Sequence, residues 1–131
     1  MPQNRELERK PTLEKHFIPA NLRMPKLRGW VLEEATIAKL QQHYEQEGFS
    51  CTDYTRHCID YIQGVNMYLE AVIEINRNAL SIAKQLDEER LANKARGPRH
   101  GTPILIKDNI AVDGDSIQTT AGSWDCSGAL S

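Results

Sequence analysis

"GPRHGTPILIKDN", residues 97–109, is the stretch on which the fold turns. At its centre Ile104, Leu105 and Ile106 form a short, β-branched apolar run behind Pro103, the pattern of a buried strand rather than of a helix. The run ends in Lys107, with Asp108 and Asn109 directly after it. A lysine in that place is either a solvated strand end, paired with Asp108 or another carboxylate, or a placed functional group. If the strand is buried, desolvation favours the neutral amine, which can take a proton from a serine hydroxyl. Asp108 and Asn109 read as holding the following loop through side-chain to backbone hydrogen bonds, and as candidates for orienting Lys107.

Working upstream, Ala79, Ile82, Ala83, Leu86, Arg90 and Leu91 recur at helical spacing as an inward stripe. Asp87, Glu88, Glu89 and Lys94 fall on the wet face, Asn76 stands as N-cap, and Gly97 with Pro98 closes the helix. "LEAVIEI", residues 69–75, alternates imperfectly and reads as a strand, with a short helical extension as the competing reading. Tyr54, Cys58, Tyr61, Ile62 and Val65 predict an amphipathic helix from an N-cap at Thr52 to about Gly64. Ahead of it Ile37, Leu40 and Tyr44 predict another, beginning at Leu32 with Glu33 and Glu34 in its first turn and stopping at Gly48. Residues 1–31 carry Pro2, Pro11, Pro19 and Pro25 among charges without a period, and read as an extended arm. The tail from Val112 is rich in Gly, Ser, Thr and Asp, and no internal repeat is visible. The order helix, helix, strand, helix, strand points to an α/β architecture.

Composition narrows the function. The chain of 131 residues, 40% hydrophobic and 26% charged, suits one ordinary soluble domain. A net charge of −2 gives no electrostatic reason to expect nucleic acid or an anionic membrane as partner. No run approaches the roughly 18 apolar residues of a membrane span, and Glu6, Glu8 and Glu14 argue against a transit peptide. Three cysteines, Cys51, Cys58 and Cys126, do not form a disulfide framework, so a reducing cytoplasm is the expected location. Cys51 and Cys58 lack Cys-x-x-Cys spacing, His57 and Cys58 point to different helix faces, and no Gly-Lys-Ser/Thr cradle is present. Neither a metal nor a nucleotide cofactor is expected. His16 and His43 have no visible partner, and His100 lies in the Gly-rich connection.

Residues 96–123, "RGPRHGTPILIKDNIAVDGDSIQTTAGS", strongly resemble the lysine-bearing segment of the amidase signature family, serine hydrolases that act on amides. The resemblance lies in an ordered string: Gly97-Pro98, His100-Gly101, Pro103, the apolar triplet, Lys107-Asp108-Asn109-Ile110, then Thr119-Thr120-Ala121-Gly122-Ser123. Residues 68–90 look like the strand and helix that precede this segment in the family, so the likeness spans about 32–131 and leaves 1–31 as the arm. It implies helices packed on a mixed sheet, of which this chain would supply an N-terminal part, and a Ser–cis-Ser–Lys triad that cleaves a carboxylic amide C–N bond through an acyl-serine. Lys107 matches the family lysine and would be the general acid/base. Thr120, Gly122 and Ser123 would line the substrate side as a loop, and His100 matches a structural position. Both triad serines lie in a downstream Gly/Ser-rich signature that nothing here matches; "CSGALS" at the end, with Ser127 and Ser131, lacks its run of glycines. The expectation is therefore a truncated or inactive amidase-family protein whose substrate, once complete, would be a small-molecule amide. The alternatives are a non-enzymatic interaction module or one half of a split amidase, with a complementing polypeptide or a second copy as partner.

Overall fold

The structure, a computed structural model, describes residues 22–110 and Val112. Among these residues there are three helices, α1 (Ile37–Glu45), α2 (Cys51–Leu69) and α3 (Ala79–Leu91), with α2 and α3 packed on each other. No described helix is long and apolar enough to cross a membrane.

The start of α2 organises the rest. A helix leaves its first four N–H groups without partners in the following turn, and here all four are accounted for. Ser50 Oγ accepts from Asp53 N and Asp53 Oδ2 accepts from Ser50 N, both at 3.0 Å, a reciprocal capping box. The two amides between them are taken by a residue of α3: Asp87 Oδ1 accepts from Cys51 N at 2.8 Å and Oδ2 from Thr52 N at 3.0 Å. Thr52 Oγ1 donates to the same carboxylate at 2.6 Å. Asp87, expected on the wet face, instead places its charge at the positive end of α2 and staples the two helices together. The true N-cap is Ser50, upstream of the expected Thr52. At the other end α2 continues through Gly64 to Leu69, where Glu70 takes a left-handed conformation (φ 48°) and ends it.

The strand expected at 69–75 does not form. Leu69 is still helical, and the Asn66 side chain occupies the backbone beyond it, accepting from Ala71 N at 3.0 Å and Val72 N at 2.9 Å and donating to Val72 O at 2.7 Å. Those groups are then unavailable to a ladder. The strand expected at 104–106 is not formed either: the segment is extended, but Ile104 is 73% exposed and Leu105 77%, with no neighbouring strand among the described residues. A strand needs a partner edge to satisfy its backbone, and the described residues offer only one isolated bridge, Leu27 with Trp30.

Two helix starts also shift. Glu34 adopts φ 58°, which breaks helical continuity after Leu32, so α1 begins only after Thr36, whose hydroxyl accepts from Lys39 N at 3.2 Å. Asn76 folds an Asx turn, its Oδ1 accepting from Asn78 N at 2.8 Å, and α3 starts after Asn78. Of the inward stripe of α3, Ala83 is buried and Arg90 partly so, whereas Ile82 and Leu91 are exposed.

The core gathers Leu32, Leu40, Tyr44, Phe49 and Cys51, with Met24, Leu27, Ala35 and Tyr54 around it. Residues 22–31 of the expected arm sit against this core: Leu22 is buried and its carbonyl accepts from Tyr61 Oη at 2.6 Å. Arg28 and Gly29 both have positive φ between paired Leu27 and Trp30, the signature of a type I′ turn. Arg28 reaches Asp53 at 2.9 Å, and the turn lays Trp30 over buried His43, ring centroids 4.4 Å apart.

These contacts set two expectations for stability. For Asp87 burial pushes the carboxyl up, but the hydrogen bonds from Thr52 and Cys51 outweigh it and hold it below the usual 3.8. A lowered folded-state value means that the contribution is fully present above pH 3.8 and is lost as the pH falls below it. Asp87→Asn should therefore cost about 1–3 kcal/mol at neutral pH in urea melts, and its gap from the wild type should close under acid. Gly64, in the interior of α2 with open space where a Cβ would lie, should by contrast gain stability of about 1 kcal/mol on substitution by Ala, read as a higher urea midpoint at unchanged slope.

Candidate active site

All three helices converge on the connection that leads to Lys107. From α1, Tyr44 Oη donates to Gly101 O at 3.2 Å, and Gln41 Nε2 donates to His100 O at 3.1 Å and to Thr102 Oγ1 at 3.3 Å. From α3, Arg90 Nη2 donates to His100 O at 3.0 Å and to Gln41 Oε1 at 2.7 Å, while its guanidinium lies over the Tyr44 ring, 5.1 Å from the centroid. From α2, the Cys51 side chain fills the space beside Gly101: a Cβ at residue 101 would overlap Sγ and lie 3.0 Å from the cysteine Cβ. Gly101 has φ +78°, so this position demands glycine twice, for space and for backbone.

His100 is buried inside the same turn. Its Nδ1 accepts from Arg96 N at 3.2 Å, which leaves Nε2 as the protonated nitrogen, donating to Leu86 O at 2.8 Å. Arg96 in turn pairs with Glu89, Nε to Oε2 at 2.7 Å, and that pair holds the Glu89 carboxyl below its ordinary range and the guanidinium above its own. Thr102 N bonds back to Arg99 O at 3.1 Å. Beyond it residues 103–106 run out extended to Lys107, which is exposed, and a turn closed by Ile110 N to Lys107 O at 3.0 Å follows.

The buried polar groups near this node are held in their neutral forms. Burial first, then the hydrogen bond and charge of Asp87, pushes the Cys51 thiol up to about 12. Burial first, then Cys51, raises the Tyr44 phenol far above its usual value. Neither is a nucleophile or a base near neutral pH; both are packing and hydrogen-bonding groups. Cys51 and Cys58 are free thiols, and among the described residues no three His, Cys, Asp or Glu side chains are grouped to hold a metal ion. A groove of about 520 Å³ opens beside Arg90, between α1 and the 95–98 connection, and Lys107 does not line it.

Of the residues singled out in the sequence, Lys107 stands at the end of the extended segment, while Thr120, Gly122 and Ser123, like Ser127 and Ser131, lie outside the described residues. Gln41, Tyr44, Arg90 and Asp87 were not visible as site residues. The signal for Arg90 was its place on the apolar stripe of α3, where a charged residue needs acceptors, and the carbonyls of a Gly-rich turn supply them.

Known proteins resemble this chain in sequence. The family model described as Amidase matches residues 53–129. Proteins named putative amidase are similar to this chain in Schizosaccharomyces pombe, 39% identical over 82% of the chain and 18% of that protein, and in Arthroderma benhamiae, 46% identical over 69% and 15%. A Glutamyl-tRNA(Gln) amidotransferase subunit from Protochlamydia amoebophila is 34% identical over 65% of the chain and 17% of its own length. The chain thus spans less than a fifth of each of these three relatives. No solved structure matches it.

The contact between Gly101 and Cys51 gives a double-mutant test. Gly101→Ala should cost about 2–4 kcal/mol through strain and overlap, and the part due to Sγ should be relieved in a Cys51→Ala background while the backbone strain remains, a coupling of about 1 kcal/mol in denaturant melts.

Proposed function

Because this chain belongs to the amidase family, we propose that it supplies the lysine-bearing segment of an enzyme that hydrolyses a carboxylic amide C–N bond through an acyl-serine intermediate. Lys107 is the general acid/base, relaying a proton between the bridging serine and the solvent or leaving amine. Thr120, Gly122 and Ser123 line the substrate side. The observation that supports the reading is the anchoring ahead of Lys107: the turn at residues 100–102 is hydrogen-bonded to α1 and α3 and packed on Cys51 of α2, and the segment after it is exposed. A lysine held for surface charge alone needs no such anchoring.

The finer fold follows from the same geometry. Ile104, Leu105 and Ile106 expose apolar side chains and an extended backbone, which is stable only as a strand added to a sheet edge. In this reading the mixed α/β sheet of the domain is completed by chain beyond the described residues, and pairing removes Lys107 from bulk water. The competing reading, one half of a split amidase or a binding module that docks the same edge without chemistry, is favoured by that exposed segment taken alone.

No residue here matches the two serines implied by the family resemblance, so the 131-residue chain by itself should not hydrolyse simple aliphatic or aromatic amides. Co-expressed with a polypeptide carrying the Gly/Ser-rich signature of a relative, it should do so, and Lys107→Ala should lower turnover by several orders of magnitude. Turnover that survives Lys107→Ala would refute the assignment. A stable complex without any turnover would favour the binding module.

A further inference from the structure

We propose that Arg90 is a positioning residue for Lys107, fixing the direction in which the lysine segment leaves the helices; this rests on the reading of Lys107 as general acid/base. Arg90 is partly buried, yet among the described residues its charge meets no carboxylate: the ion pairs there are Arg28 with Asp53 and Arg96 with Glu89. It is directed instead at the His100 carbonyl, at Gln41 and at the face of Tyr44. A half-buried cation matched only to dipoles is a poor stabiliser, because its desolvation offsets much of what these contacts return. It is a good orienter. The guanidinium, lying over the Tyr44 ring, serves both acceptors through Nη2, and the compact ammonium of lysine does not reproduce that ring contact together with the two bonds. Gln41, aligned by Arg90, bonds the same His100 carbonyl a second time, and Tyr44 takes that of Gly101.

Leverage makes this matter. Among the described residues no backbone hydrogen bond to the helices occurs between Pro103 and Lys107, so the exit direction at residues 100–102 and the fixed φ of Pro103 set how the segment is presented to the sheet edge that completes it. From Gly101 to Lys107 an extended chain spans roughly 20 Å. A swing of about 10° at its root therefore shifts the far end of the segment by about 3 Å over that reach, about one residue of strand register, as it meets that edge. Catalytic groups work within about 0.5 Å of their place, and a misplacement of about 1 Å can cost 10²-fold. The clamp thus lies on the path from fold to rate although none of its members approaches the reacting atoms.

The test uses Arg90→Ala and Arg90→Lys, with Tyr44→Phe, which keeps the ring and deletes only the bond to Gly101, as the milder variant should the others unfold. In the 131-residue chain, NMR order parameters of the Gly101 and Thr102 amides should fall from about 0.85 to below about 0.6 in Arg90→Ala, less in Tyr44→Phe, with those of α2 unchanged. In the complemented enzyme Arg90→Ala should lower kcat about 100-fold with KM within about twofold, and Arg90→Lys should recover only part of it. Unchanged order at residues 100–102, or a raised KM with kcat kept, overturns the proposal. Absence of turnover in the complemented wild type would instead overturn the reading of Lys107, and the order parameters would still decide whether Arg90 sets the exit of the segment.

Discussion

The whole described structure depends on one carboxylate. Asp87, on the middle of α3, accepts the two amides at the start of α2 that the Ser50/Asp53 capping box leaves open, and it does so across a gap of more than thirty residues in sequence. Satisfying an N-terminus from a second helix does two things at once. It removes the desolvation penalty of buried N–H groups, Cys51 being fully buried, and it fixes the rotation and height of α3 against α2. Once that register is set, Leu86 and Arg90, one position before and three after Asp87, face the connection on the far side and can meet His100.

From there the order of dependence runs toward the lysine. The fixed face of α3 presents a carbonyl to the His100 ring and a guanidinium to the His100 backbone, α1 adds Gln41 and Tyr44, and the Cys51 side chain leaves room at residue 101 for a hydrogen atom only. The turn is thereby hydrogen-bonded where it leaves the helices, and the residues after it are exposed. That division suits the proposed sheet, in which the root is fixed locally and the strand would be completed by pairing. The exposed 104–106 run is the edge that the proposed sheet would cover.

The sequence made some of this legible. Three helices were readable from the spacing of Leu40 and Tyr44, of Tyr54, Cys58 and Val65, and of Ala79, Ala83 and Leu86, and the family from the ordered string around Lys107. The strands were not, because alternation and β-branching describe a residue's fitness for a sheet and say nothing about whether a partner edge is at hand; at 71–72 the backbone was claimed by Asn66 instead. Asp87 was misplaced for a related reason. Beside Glu88 and Glu89 it looked like solvated charge, and its role belongs to amides that only the fold brings near. A signal did exist: Ser50-x-x-Asp53 marks a helix start and satisfies two of four amides, so a remote acceptor was required if that start was to be buried.

Amide hydrogen exchange at Cys51 and Thr52 tests the central claim most directly. At the first turn of an ordinary helix these N–H groups have no partner in the helix and exchange freely. If Asp87 holds them, they should exchange as slowly as the amides in the middle of α2 at neutral pH, and lose that protection together, measured against the intrinsic exchange rate at each pH, once the carboxylate is protonated. Exchange at the rate of a frayed terminus at neutral pH would contradict the account, for then neither the register of α3 nor the anchoring of the Lys107 segment would rest on that carboxylate.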